Sequence, residues 1–98
     1  MIFLEAQHLD RVHHILQRWV PNYEVWAFGS RVHRRRLKPF SDLDIVLISD
    51  SPLDVSFYGK IKEAFSESDL PIRVDIADWN LLSNSFKEMI RLEHERIQ

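Results

Sequence analysis

Cysteine is absent from the 98 residues, and glycine occurs only twice. Without cysteine there is no disulfide and no thiolate metal site, which suits a reducing cytoplasmic location. No apolar run approaches the roughly 18 residues that a membrane-spanning helix needs. Glu5 interrupts the opening residues where a secretory leader would run on uninterrupted. A large excess of either charge is also missing: 13 Lys and Arg stand against 15 Asp and Glu, for a net charge of −2. Generic nucleic-acid binding draws most of its affinity from phosphate neutralisation, so a slightly acidic chain fits it poorly. Repeats, low-complexity tracts and linkers are lacking too, and the length suits one core. Residues 1–98 therefore read as a single domain, too short to add a separate substrate domain.

What is present alternates. Leu9, Val12, Leu16 and Trp19 recur at helical spacing, so residues 4–19 read as an amphipathic helix ended by Pro21. Glu24 to Phe28 is a short β-prone run halted by Gly29. Ser30 is an N-cap candidate for a short basic helix or turn that Pro39 terminates. Leu43 to Ile48 is apolar on both faces apart from Asp44, as a central strand would be. Asp54 is placed to cap a helix through Ser66, with Tyr58, Ile61 and Phe65 facing inward. Ile72 to Ala77 alternates as a third strand. Ser85 and Glu88 form a capping-box pattern for a last helix carrying Phe86, Met89, Ile90 and Ile97. The expected fold is α/β (α+β), a small mixed sheet with helices packed on it.

The charges are distributed unevenly along this frame. Arg31, Arg34, Arg35, Arg36 and Lys38 follow Gly29 with no acid among them, which points to a small anionic ligand or an acidic patch on a partner. Asp42 and Asp44 then project to one side of the central strand, their β-carbons roughly 6–7 Å apart. Asp75 joins them if the second and third strands are neighbours. Carboxylates gathered on a partly dry sheet face repel one another, and one takes up a proton unless a cation intervenes. Magnesium suits the set, since it prefers a few carboxylates together with substrate phosphates. Asp-x-Asp alone also occurs as turn or cap residues. The neighbouring Gly29-Ser30 strengthens the metal reading, because backbone N–H groups and a hydroxyl there offer an anion site.

Gly29-Ser30-Arg31, a spacer, Asp42-Leu43-Asp44 and the later Arg73-Val74-Asp75 together carry a family likeness. The chain resembles the minimal nucleotidyltransferases of the DNA polymerase beta superfamily, and in particular those paired with a HEPN-domain toxin. The resemblance covers nearly the whole chain. It implies a polymerase beta-like palm and an antitoxin that moves AMP from ATP onto a tyrosine of a HEPN ribonuclease. It further implies that Asp42, Asp44 and Asp75 are catalytic and hold Mg2+ in a two-metal arrangement. Gly29 and Ser30 would bind the nucleotide phosphates, and Arg31 would support their charge.

The spacer from Arg31 to Ser41 is longer than the family's usual one and lacks its glycine, carrying Val32-His33-Arg34-Arg35 instead. A second reading thus stays open: an antitoxin that neutralises the HEPN toxin by direct binding, with weak catalysis or none. Modification of a small molecule would need acceptor-binding sequence for which this chain has no room. The basic run lacks the interleaved aromatics of a nucleic-acid patch. His8, His13 and His14 miss the i, i+4 spacing of a helical metal pair. Trp19, Trp26 and Trp79 belong to the core or to a partner interface, and both a homodimer and a hetero-oligomer remain open.

Overall fold

The computed structural model describes residues 2–98. Helix α1 (Ala6–Trp19) turns Val12 and Leu16 fully inward and gives way at Val20, just before Pro21. Strand β1 (Glu24–Phe28) leads through Gly29 into a single helical turn, α2 (Ser30–His33). Gly29, not Ser30, takes the N-cap position, and Ser30 is the first helical residue. Strand β2 (Leu43–Ile48) and helix α3 (Val55–Ser66) follow. Asp54 caps α3 as expected, accepting from the Phe57 N–H at 3.2 Å.

Strand β3 (Val74–Asp78) begins two residues later than the alternation suggests, and the 3-10 turn Trp79–Leu81 follows it. Helix α4 (Asn84–Leu92) is capped by Ser83, whose hydroxyl accepts from the Phe86 N–H at 3.2 Å. Ser85 therefore lies inside the helix, and Glu88 pairs with Arg91 rather than closing a capping box. The last helix does not reach Ile97. Glu95–Arg96 form instead a short edge strand, β4, against Trp26 and Ala27.

The sheet order is β3-β2-β1-β4. β1 pairs antiparallel with β2 and with β4, while β2 and β3 run parallel, joined through α3. Strand alternation sends Leu43, Ile45 and Leu47 to one face, where they meet Leu16, Ile61 and the rest of the main core. That burial is the principal stabilising term, at about 25 cal/mol per Å² of apolar surface. The opposite face carries Trp26, Phe28, Asp44 and Val46. Helix α4 and the residues just after it cross part of it: Phe86 meets Phe28 edge-on at 5.9 Å, and His94, beyond the helix, stacks on Trp26 at 3.9 Å. Asp44 is left at the uncovered end of that face. Among the described residues, no helix is long and apolar enough to cross a membrane.

Candidate active site

Register decides which acids meet. Asp44 stands opposite Phe28 on one side and opposite Asp75 on the other. Partners in a parallel pair point to the same face, so the two carboxylates are side by side on adjacent strands. They line a cleft of about 530 Å³ with Gly29 and Ser30. Gly29 has φ +78, a backbone region that side chains other than glycine seldom adopt. The Asp44 carboxyl is half-buried, and its pKa is pushed up to about 6. Burial is the main cause; the charges of Asp75 and Asp42 add to it, and Arg73 opposes them.

The donor set suits a hard divalent cation. Two carboxylates share a partly dry face, and their mutual repulsion already favours holding a proton there; a cation would relieve the same repulsion. Asp42 is not in this arrangement. It precedes β2, and its Oδ2 accepts from Arg73 Nε at 3.2 Å and Nη2 at 2.9 Å. Accordingly, among the described residues no group of three or more His, Cys, Asp or Glu is gathered as a metal site. The expected triad is thus a pair, with its third member held by an exposed ion pair. Such pairs contribute only about 0–1 kcal/mol, so Asp42 is held weakly.

Arg31, expected at the phosphates, does not line the cleft. Its side chain is buried, and its guanidinium donates to the carbonyls of Phe3 (2.9 Å), Pro39 (3.0 Å) and Ser41 (3.0 Å). One helical turn suffices to carry residue 31 to the inner side of α2 while Ser30 stays on the cleft. Arg31 therefore ties the basic loop to the chain that enters β2, and so positions Ser41 and Asp42.

Sequence reasoning left three groups of the cleft unassigned. Arg35 and Glu93 pair across it, with Nη2 to Oε1 at 2.7 Å and Nη1 to Oε2 at 3.3 Å. His33 lies alongside, accepting at Nδ1 from the Arg35 N–H. Phe28, Phe86 and Met89 provide an apolar wall. The clue to Arg35 was its place in the acid-free basic run; nothing local pointed to Glu93, 58 residues away. Tyr58, by contrast, is engaged elsewhere: its hydroxyl donates to the Ile76 carbonyl at 2.5 Å, and its pKa is raised by burial and by Asp75 and Asp78.

Residues 9–97 match the nucleotidyltransferase domain family. The chain belongs to that family. This nucleotidyltransferase is 50% identical over 95 residues to the probable protein adenylyltransferase MntA of Haemophilus influenzae, covering 97% of the chain and 82% of that relative. Two solved structures share its fold. One is a toxin–antitoxin crystal structure with AMP-PNP, at TM-score 0.76 and 19% identity over 92% of this chain and 72% of that one. The other is the tri-AMPylated HEPN toxin of Shewanella oneidensis in complex with its MNT antitoxin, at TM-score 0.68 and 15% identity over 97% of this chain and 72% of that one. The resemblance read from Gly29-Ser30 and the three aspartates is thereby borne out as family membership, and the mixed sheet with packed helices as the fold.

Proposed function

We propose that residues 1–98 form a single Mg-dependent protein adenylyltransferase domain acting in the cytoplasm as an antitoxin, which moves AMP from ATP to a tyrosine hydroxyl of a HEPN-domain ribonuclease. The observation that carries this reading is the Asp44–Asp75 pair facing Gly29 and Ser30 across one cleft. The 50% identity, over 97% of the chain, to a probable protein adenylyltransferase supports the acceptor class.

In this reading Asp44 and Asp75 would hold the metal, and Asp42 would be available to it only on release from Arg73. A divalent cation there would supply positive charge to the triphosphate and to the departing pyrophosphate. Gly29 and Ser30 receive the phosphates, with no side chain at residue 29 to keep them from the backbone. The acceptor oxygen forms a bond to the α-phosphorus, the bond from that phosphorus to the bridging oxygen breaks, and pyrophosphate leaves. The hydroxyl proton passes to solvent. Such a transfer rests mainly on positioning and electrostatics, which a domain of this size provides.

The test is incubation with ATP labelled at the α-phosphate, Mg2+ and the protein encoded beside this one. Label should enter a tyrosine of that partner, and Asp44→Asn and Asp75→Asn should each lower the rate at least about 100-fold. Transfer that persists unchanged in both variants would reject the reading. The Arg73 hold on Asp42 favours one alternative, neutralisation of the toxin by binding alone. In that case Asp44→Asn would still protect cells from the toxin.

A further inference from the structure

The cleft is short of positive charge. Asp44, Asp75 and Glu93 line it, and Arg35 is the only Lys or Arg among its described lining residues. Arg31 is engaged with carbonyls and Arg73 with Asp42, and neither lines the cleft. A cation on Asp44 and Asp75 would offset those two carboxylates but would leave Glu93 facing a polyanion. We propose that Arg35 is the side chain that receives the substrate's polyphosphate, exchanging Glu93 for phosphate oxygens, and that Glu93 acts as its resting partner and as a brake on anion binding. The assignment rests on the adenylyltransferase reading above.

Several observations support the exchange. The Arg35–Glu93 pair is exposed, with side-chain exposures of 67% and 44%, so it adds little to stability. It nevertheless brings a planar fork to the cleft in the two-point geometry that suits a phosphate as well as a carboxylate. The backbone around Arg35 is shaped to hold it there. Arg34 and Arg36 lie at φ 65 and 57, uncommon for residues with side chains, and the Arg35 N–H is fixed on His33 Nδ1 at 2.9 Å. Glu93 is equally well placed for its part, since it follows α4, the helix whose Phe86 and Met89 form the apolar wall. Its pKa is held below the usual carboxylate value by Arg35, so it carries full charge at neutral pH.

The experiment is calorimetric titration of the full chain with ATP, ADP and AMP in Mg2+, using the parent protein, Arg35→Ala, Arg35→Lys and Glu93→Gln. Arg35→Ala should weaken ATP by about tenfold and leave AMP within about twofold, because the loss follows the number of phosphates. Arg35→Lys should recover part of it. Glu93→Gln should act in the opposite sense and tighten ATP severalfold. A pair that merely ties the loop to α4 would instead make all three variants weaker toward every nucleotide alike, and that pattern overturns the assignment. So does ATP affinity unchanged in Arg35→Ala. Failure of the parent protein to take up any nucleotide would overturn the adenylyltransferase reading, and this assignment with it.

Discussion

A β-carbon at residue 29 would lie 2.2 Å from Asp44 Oδ2. The turn that closes β1 therefore lies directly against the carboxylate of the central strand, with no space between for even a methyl group. Two needs coincide at Gly29: a φ of +78 and an approach that any side chain would block. Both bring the Ser30 end of the cleft within reach of the carboxylate pair.

Gly29→Ala should consequently damage the site more than the fold. At φ 78 and ψ −159 the backbone lies in a region that is essentially glycine's alone, at a cost of about 1–3 kcal/mol for alanine, and the clash forces Asp44 to shift. A displacement of about 1 Å at a reacting centre costs roughly 100-fold in rate. Transfer rates should fall by that order while the melting temperature drops only by about 4–8 °C per kcal/mol lost. Parent-like transfer in Gly29→Ala would contradict the placement of Asp44 at the reacting centre.

The Asp44 carboxyl makes a prediction about pH. In the metal-free protein its pKa is about 6 instead of the ordinary 3.8. Between those values the folded chain holds a proton that the unfolded chain has lost. Folded-state stability thus falls as pH rises from about 4 to about 6, and stays lower above that. Asp44→Asn removes the penalty. It should melt higher than the parent at pH 7.5, with the difference vanishing below pH 4, and Mg2+ should narrow the gap by stabilising only the parent. Melting curves across pH 3.5–8 decide it; a gap that does not change with pH would contradict the burial and repulsion assigned to Asp44.

Arg31 separates a positioning role from a phosphate role. Lysine keeps the charge but lacks the planar fork that reaches three carbonyls at once. Arg31→Lys should destabilise the protein by roughly 1–3 kcal/mol, since three part-buried carbonyls lose charged donors. Urea unfolding measures this. Stability unchanged beside a selective loss of ATP affinity would return Arg31 to the phosphates.

The legible parts of the fold were those set by neighbouring residues. Leu43–Ile48 matches the structure at both ends, because an apolar run between polar stretches has one burial solution. Asp54 was legible as a cap for the same local reason. The C-terminus was not. Ile90 and Ile97 share helical spacing, yet the chain leaves the helix after Leu92 and pairs with β1, so that Ile97 N–H donates to the Val25 carbonyl at 2.9 Å. Only a neighbouring strand with an open edge makes that pairing favourable, and spacing along the chain carries no sign of it. The site divides in the same way. Asp44 and Asp75 were expected together and are together, whereas Arg31 and Asp42 are drawn off by carbonyls and by Arg73.

By itself, then, the order of side chains determined strands β1 and β2, the span of α3, the set of strand aspartates and the turn that requires Gly29. These follow from torsional preference and alternation, which act over a few residues. The tertiary structure decided that β2 lies between β1 and β3, that Asp44 stands level with Asp75, and that Arg35 rather than Arg31 faces the cleft. Those outcomes depend on contacts between residues tens of positions apart, whose energies exist only once the chain has closed on itself.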